Sequence, residues 1–478
     1  MKKFTFLALL LVASSTAFAV SMNFSGNFRT EAGFYSNLGQ DMPNTKNQKQ
    51  FLAGRFLLDP NLIIDDHFSV KSQWSLLTSP NYTPSAVSPL GNGMGGWVYG
   101  DVQTQAMVLN RAWLDWTSDF GVVRVGRMPV AWGYGLVFDA GNGVWDDYQT
   151  TFDRLEYRLH LGHVIGGLSY SKPRKRSVHG GESDAEYYGA SLQYDNPELE
   201  VEGGILFEKQ VRSSGQLGEW TGLSNAPVAS PANPYYNPDA DATVAAAREK
   251  VSAPSNPYPL HTRMPFPKSN NLLDVYLKKS FGYFSIGGEA AWITGEAMDY
   301  NNNDSLDTLN AWGAMGNLTY EYHKVKAFVE VLYASGDNDL TEDSLSGFVL
   351  LHRNRRPGII LGREILGPYE GNNTAMGSPV IYGSQDTFSG VYYFRPGFRV
   401  DWSPTWATGL EIVHAGKASV KDGETRTLGT EIDLAIDYGV YKNFVLGMNM
   451  AVLFRSTGIQ VPEGKTIFGL RGTAALKF

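Results

Sequence analysis

Apolar and polar residues alternate along the first stretch of the chain after its leader. Phe24, Gly26, Phe28, Thr30, Ala32 and Phe34 interleave with Asn23, Ser25, Asn27, Arg29 and Glu31. A period of two puts successive side chains on opposite faces of a β-strand, here one greasy face and one hydrophilic face. The next two segments show how strands join. Leu52, Phe56, Leu58, Leu62 and Ile64 share a face, the chain turns at Asp65-Asp66, and it returns with Phe68, Val70, Trp74 and Leu76 against Ser69, Lys71, Gln73 and Ser75. The link that follows, 79–104, is long, polar and rich in Gly and Pro.

Short and long connections keep alternating to the end. Tight turns fall near Ser118-Asp119-Phe120-Gly121, Gly162-His163, Asp195-Asn196-Pro197, Phe281-Gly282, His323-Lys324, Ser403-Pro404 and Tyr441-Lys442-Asn443, and long links at 129–150, 210–270 and 336–389. The pattern predicts 18 strands, beginning near Asn23, Phe51, His67, Gln105, Gly121, Phe152, Val164, Ala185, Leu199, Asn271, Tyr283, Leu309, Val325, Gly390, Ala407, Thr427, Asn443 and Thr466. Short connections on one side and long on the other are the layout of periplasmic turns and extracellular loops in a transmembrane antiparallel β-barrel. An even count lets the first strand pair with the last, which leaves no open edge in lipid. The expected fold class is therefore all-β, with each greasy face in lipid and each hydrophilic face toward a water-filled interior.

Composition supports this. Gly (52 residues) and aromatics (13%) are both abundant, and no apolar run is long enough for a membrane-spanning helix, which needs about 20 residues. Lys2 and Lys3, the apolar run 4–12 and Ala17-Phe18-Ala19 have the form of a secretory signal peptide, so 1–19 is read as a leader and 20–478 as the barrel. Losing the leader takes the net charge from −8 to −10, the wrong sign for a general nucleic-acid binder. With no cysteine, thiol catalysis and Cys-based metal sites are excluded, and neither metal nor cofactor is expected.

The last segment places Phe468, Leu470, Gly472, Ala474, Leu476 and Phe478 on one face. It resembles the C-terminal assembly signal of bacterial outer-membrane barrels, which implies recognition by the barrel-assembly machinery through Phe478. An edge strand of a soluble β-protein is the plainer alternative. In mid-chain, Arg111-Ala112-Trp113-Leu114-Asp115-Trp116, then Val123-Arg124-Val125-Gly126-Arg127 and Trp132-Gly133, resemble a segment of alginate-export-like and related porins; Gly429-Thr430-Glu431-Ile432-Asp433-Leu434 is similar to a strand of the same group. The resemblance implies a monomeric 18-stranded channel in the outer membrane with arginines in its lumen. It does not imply alginate as substrate, because the lumen charges are mixed.

Strand-by-strand parity assigns the pore lining. One sector is basic: Arg111, Arg124, Arg127, Arg154 and Arg158, with Asp115 and Glu156 among them. Arg127 breaks the parity set by Arg124 and faces inward only if a bulge intervenes. Arg395 and Arg399 fall about opposite on the ring. The acidic sectors hold Glu200, Glu202 and Glu208, then Glu289 and Glu330, then Glu411, Glu431, Asp433 and Asp437. Segregated charges would set up a transverse field that suits small polar or charged solutes, and facing arginines would favour carboxylates. Alternatively these charges pair along the wall and only keep it wet.

A barrel this wide needs something folded inside to select by size. The candidates are 210–270, rich in Pro and Tyr, and 336–389, with Arg353, Arg355 and Arg356 near its centre; both could equally lie outside as surface loops. Weaker motifs remain. Asp299, Asn301 and Asn303 are spaced like the start of a calcium loop but lack its Gly and Glu. Lys172, Arg174, Lys175 and Arg176 sit at the extracellular rim, where they could meet lipopolysaccharide phosphates. His67, His163 and His323 fall in turns and His414 has no partnering nucleophile motif, so an enzyme is not expected. The reading is a porin-like channel in contact with bilayer and lipopolysaccharide; a surface adhesin or receptor barrel, or a barrel enzyme, is the alternative.

Overall fold

The computed structural model describes residues 20–36, 48–78, 87–88, 91–92, 105–146, 149–172, 185–212, 269–296, 307–337, 343–348, 352–355, 357–362, 390–420, 423, 425–456 and 466–478. The leader 1–19, the segment 213–268, the motif at Asp299 to Asn303 and the basic residues Arg174, Lys175 and Arg176 lie outside the described residues.

Eighteen long strands form: β1 (Ser21–Ser36), β2 (Gln48–Ile63), β3 (Phe68–Thr78), β4 (Gln105–Ser118), β5 (Gly121–Pro129), β6 (Thr151–Leu161), β7 (Val164–Lys172), β8 (Ala185–Asn196), β9 (Val201–Arg212), β10 (Ser269–Phe281), β11 (Phe284–Glu296), β12 (Thr308–Tyr322), β13 (Val325–Ala334), β14 (Val391–Asp401), β15 (Trp406–Gly416), β16 (Thr427–Tyr441), β17 (Phe444–Arg455) and β18 (Ile467–Lys477). Each pairs antiparallel with its sequence neighbours, and the ring closes where β1 meets β18, from Asn27 opposite Lys477 to Ser36 opposite Phe468. Every strand thus finds two partners, as a sheet immersed in lipid requires. All eighteen begin within a few residues of the positions expected from periodicity.

The outer face carries the greasy set. Phe24, Leu168, Ile205, Leu277 and Phe394 stand at outward positions and are 58%, 63%, 51%, 58% and 48% exposed. Large apolar side chains bared around a whole circumference need hydrocarbon rather than water beside them. Aromatic pairs mark the two interfaces. Trp406–Tyr438 (ring centroids 4.6 Å) and Tyr283–Tyr322 (4.8 Å) lie at the short-turn end, and Trp312–Tyr333 (4.8 Å) at the other. Three short turns share one backbone solution: Gly162 and Gly282 begin theirs at φ 61° and 59°, and His323 does so at 52°. Glycine takes that conformation without the steric cost that a Cβ brings.

The inner face differs from the uniformly polar lining expected. Toward the long-loop end, inward positions are apolar and buried: Leu206, Leu272, Ala291, Ile293, Leu309, Ala311, Leu332, Val413, Leu453 and Ile467. They belong to one continuous hydrophobic cluster with described residues of two loops that fold into the barrel, 130–146 of the first and 343–348, 352–355 and 357–362 of the second. Toward the short turns the inner face is charged and polar.

Candidate functional site

The β5–β6 loop narrows the lumen. Val130, Trp132, Leu136, Val137 and Phe138 are apolar, which an exposed loop could not hold without cost, and all are buried against the inner wall. Trp132 meets Tyr276 edge to face at 5.2 Å. Its turn is tight: Trp132 N–H donates to the Phe138 carbonyl (3.0 Å) and Gly135 N–H to the Trp132 carbonyl (2.9 Å). Gly133 adopts φ 52°, and a Cβ there would come within 2.7 Å of a Glu289 carboxylate oxygen, so the position admits only glycine.

Polar anchors fix both ends of this loop. On one side Glu289 of β11 accepts the N–H of Tyr134 and, at 3.1 Å, that of Leu136. On the other, Arg29 of β1 donates to the Val144 carbonyl (2.8 Å), Arg55 of β2 to the carbonyls of Val144 (3.1 Å), Gly143 (3.3 Å) and Asp146, and Arg111 of β4 to the Ala140 carbonyl (3.1 Å) and Asn142 Oδ1 (2.8 Å). β1 and β11 are near-opposite staves of the 18-strand ring, so the loop crosses the lumen rather than lining one side.

The second loop is held the same way. Glu431 of β16, fully buried, accepts the N–H groups of Ile360 and Leu361, each at 2.7 Å. The two loops then meet: His352 N–H donates to the Leu136 carbonyl (2.7 Å), and Arg355 Nη2 lies 3.6 Å from Asp139 Oδ2. Burial pushes the Asp146 carboxyl above the usual range; the Gly143 N–H opposes the shift, Asp139 adds to it, and Arg355 and Arg55 oppose it. Burial, with Glu202 and Glu289 nearby, likewise raises the Tyr134 hydroxyl, which stays a neutral group.

Below the loops the wall is ionic. Arg124 Nε donates to Asp115 Oδ1 and its Nη1 to Glu156 Oε2, both at 3.1 Å; Lys71 reaches Asp115 at 2.7 Å. Arg158 pairs with Glu156 (3.1 Å), and Arg154 with Glu208 and Ser171. Across the ring Arg395 binds Glu411 (2.8 Å) and Glu330 (3.4 Å), and Arg399 binds Asp437 (2.6 Å) and Asp401 (3.1 Å). The charges are therefore cross-paired along the wall rather than segregated into basic and acidic sectors. A cavity of about 250 Å³ opens between the β5–β6 loop and the β5–β9 wall, with Arg124, Arg154, Arg158, Glu156, Asn142, Ser169, Ser191 and Gln193 among its lining.

The expected pore residues divide into four groups. Arg124, Arg154, Glu156 and Arg158 converge on the cavity, with Asp115 directly behind Arg124. Arg395, Arg399 and Glu411 line the facing wall. Arg111, Glu431 and Asp433 point inward but lie under the loops, 5%, 0% and 6% exposed, so they secure the constriction instead of bordering water. Arg127 corrects the expectation. No bulge interrupts β4–β5, its partner is outward-facing Ala112, and its guanidinium grips Asp153 on the outer surface (2.7 and 2.8 Å). Sequence reasoning missed the 130–150 loop as the chief constriction; its apolar content within a long connection was the signal. Of the two loops considered, the described residues 343–348, 352–355 and 357–362 of 336–389 fold inside, and 213–268 of the other lies outside the described residues. Among the described residues no three His, Asp or Glu groups converge on a metal position.

No protein-family model matches this sequence, and no curated protein matches it either. Solved structures do. The chain is similar to a BenF-like porin from Pseudomonas fluorescens Pf-5 (TM-score 0.54, 10% identity, covering 97% of this chain and 100% of that one). It is also similar to Pseudomonas aeruginosa OccK2 (OpdF) (TM-score 0.51, 10% identity, 96% and 98% covered), and to the same porin in complex with glucuronate (TM-score 0.50, 9% identity, 96% of each chain). With the closed ring and apolar exterior already described, the chain has the fold of the outer-membrane porins.

Proposed function

We propose that the protein is a channel of the Gram-negative outer membrane that passes small polar solutes by diffusion and favours those bearing a carboxylate, without catalysing a reaction. It works as a monomer, is exported with residues 1–19 as a cleaved leader, and is handed to the assembly machinery through Phe478.

The observation that carries this reading is the polarity of the arginine cluster at the cavity. Three guanidiniums, Arg124, Arg154 and Arg158, and the Lys71 ammonium face three carboxylates, Asp115, Glu156 and Glu208, so the cluster carries one positive charge in excess. The carboxylate side chains are 12%, 10% and 2% exposed, whereas Arg158 is 39% exposed. Arg124 and Arg154 are 16% and 6% exposed, so Arg158 is the positive end turned toward the solute, while Arg154 and the carboxylates are turned into the wall. An entering carboxylate exchanges water for charge-assisted hydrogen bonds from guanidinium. Because Glu156 already shares those donors, the solute is held weakly enough to leave, as conduction requires. Glucuronate, the ligand in the OccK2 complex, is a solute of this chemistry.

Refolded monodisperse protein in planar bilayers is expected to conduct steadily, with a salt-gradient reversal potential of anion-selective sign. Replacing Arg124 and Arg158 together by Ala should move that potential toward cations and reduce current carried by glucuronate more than current carried by chloride. Absence of conductance defeats the channel reading; an unmoved potential defeats the role of the arginines.

A further inference from the structure

Around the lipid-facing wall, the described outward positions are mostly apolar or aromatic; polar ones recur toward the long-loop end, as at Asn271, Thr294, Asn310 and His414, but charges gather in one sector. On five consecutive strands, near the long-loop end, the outward positions read Arg127 (β5), Asp153 (β6), Lys172 (β7), Glu186 (β8) and Lys209 (β9). Register sets the first three side by side, Arg127 opposite Asp153 and Asp153 opposite Lys172. Lys172 then reaches Glu186 at 3.1 Å, and Lys209 stands opposite Tyr188. Lys279, another outward charge, stands at the short-turn end, where it donates to the Leu199 carbonyl.

A charge facing hydrocarbon is costly at the middle of a bilayer and tolerable near its surface, so this row lies at the outer headgroup level. A mere interface marker would be spread around the ring; this one occupies one sector and is internally organised. Asp153 binds Nε and Nη2 of Arg127, turning the guanidinium along the wall. Glu186 is gripped by the hydroxyls of Tyr170 (2.9 Å) and Tyr188 (2.8 Å), whose rings lie 5.4 Å apart. With both carboxylates engaged, the row presents three cations against two anions. Lys172 is 44% exposed, and Lys209 is exposed with no partner among the described residues. The cations sit on every second strand, hence about 10 Å apart at the usual strand spacing.

We infer that this row is a binding site for a phosphorylated glycolipid of the outer leaflet: Arg127, Lys172 and Lys209 take its phosphates, and Tyr170 and Tyr188 lie against its sugar. Guanidinium and ammonium groups supply charge-assisted donors to phosphate, and tyrosine suits a boundary with one wet and one greasy side. The inference rests on the outer-membrane reading of the barrel, and its test separates the two.

Full-length refolded protein in detergent is titrated with diphosphorylated lipid A, with the same lipid stripped of phosphate, and with phosphatidylglycerol, and bound lipid is counted by native mass spectrometry. Diphosphorylated lipid A is expected to bind the native protein at least tenfold more tightly than either control. The Lys172→Leu/Lys209→Leu variant, and separately Arg127→Met, should lose that preference while conductance, which runs through the interior, stays unchanged. Equal binding of the dephosphorylated lipid or of phosphatidylglycerol, or undiminished binding by the variants, overturns the inference and leaves the channel reading standing. Dimers that vanish in the variants would assign the row to a second copy of the chain instead, and so also overturn it.

Discussion

At the scale of single residues, the buried polar groups of the lumen are explained mostly by the backbone they hold. Glu289 and Glu431, on different sides of the ring, each accept two N–H groups of a loop, and Arg29, Arg55 and Arg111 each cap loop carbonyls. A loop inside a barrel cannot rely on water for these groups, so the wall must supply partners. At Asp146, in the loop itself, the charge works against its place. Burial raises its carboxyl above the usual range, so the folded protein holds that proton more tightly than the unfolded chain does. Stability from this group is therefore present at low pH and declines as pH climbs from the ordinary Asp value of about 3.9 through the higher folded value. Asp146→Asn keeps an oxygen for the Gly143 N–H, which now donates at 2.6 Å, and removes the charge. The variant should melt at a higher temperature than the native protein at pH 7 and at the same temperature at about pH 3, below both titrations. A constant offset across that range would show that the carboxylate's charge is not the cause.

At the scale of elements, the β5–β6 loop is a transverse bar held at two ends. Glu289→Ala strands the N–H groups of Tyr134 and Leu136, at about 1–3 kcal/mol for each if they stay buried. That loosens the loop tip, which keeps the Trp132–Tyr276 contact and the His352 N–H on the Leu136 carbonyl, while the Arg29, Arg55 and Arg111 anchors hold the far end. Single-channel current should rise with added open-state noise; Glu289→Gln, which can still accept one N–H, should fall between. An unaltered current would mean the loop is not the narrow point. The strands themselves were readable because a lipid face imposes period two, and that parity located all eighteen. It also gave warning over Arg127, where the alternation of β5 conflicted with an inward assignment. The loops were less readable. Trp132, Leu136, Val137 and Phe138 announced burial, as did Ala291 and Ile293, inward residues as apolar as their outward neighbours Ala290 and Trp292. Yet which wall the loop would cross to depends on contacts such as Arg111 with Ala140 and Glu289 with Leu136, 29 and 153 residues apart, and no local pattern encodes those. The acidic sectors were misjudged for the same reason: a carboxylate that fastens a loop looks, in sequence, like one that faces water.

At the scale of the whole molecule, the ring is only as sound as its seam. β1 and β18 join over ten residue pairs, from Asn27 with Lys477 to Ser36 with Phe468, and Phe478 adds two backbone bonds beyond them, Gly26 N–H to its carbonyl (2.9 Å) and its own N–H to the Gly26 carbonyl (3.1 Å). Its ring packs edge-on against Phe56 of β2 at 6.1 Å, so it also ties the last residue to the second strand. Gly26 serves both sides of β1, since a Cβ there would run into the Leu57 carbonyl oxygen of β2 and sit 2.8 Å from the Phe478 ring. Phe478→Ala keeps the backbone bonds but removes an aromatic contact across the seam, a truncation that costs about 3–5 kcal/mol in a packed core and less at a lipid-facing site where acyl chains fill the gap. The expected result is a refolded barrel whose gel-shift unfolding temperature falls by several degrees while its conductance and selectivity match the native protein. Gly26→Ala should lower the same temperature further, because its Cβ displaces the ring and also crowds the Leu57 carbonyl of β2. If neither change moves the unfolding temperature, the seam is not where the barrel opens, and the first strands to part must be sought elsewhere on the ring.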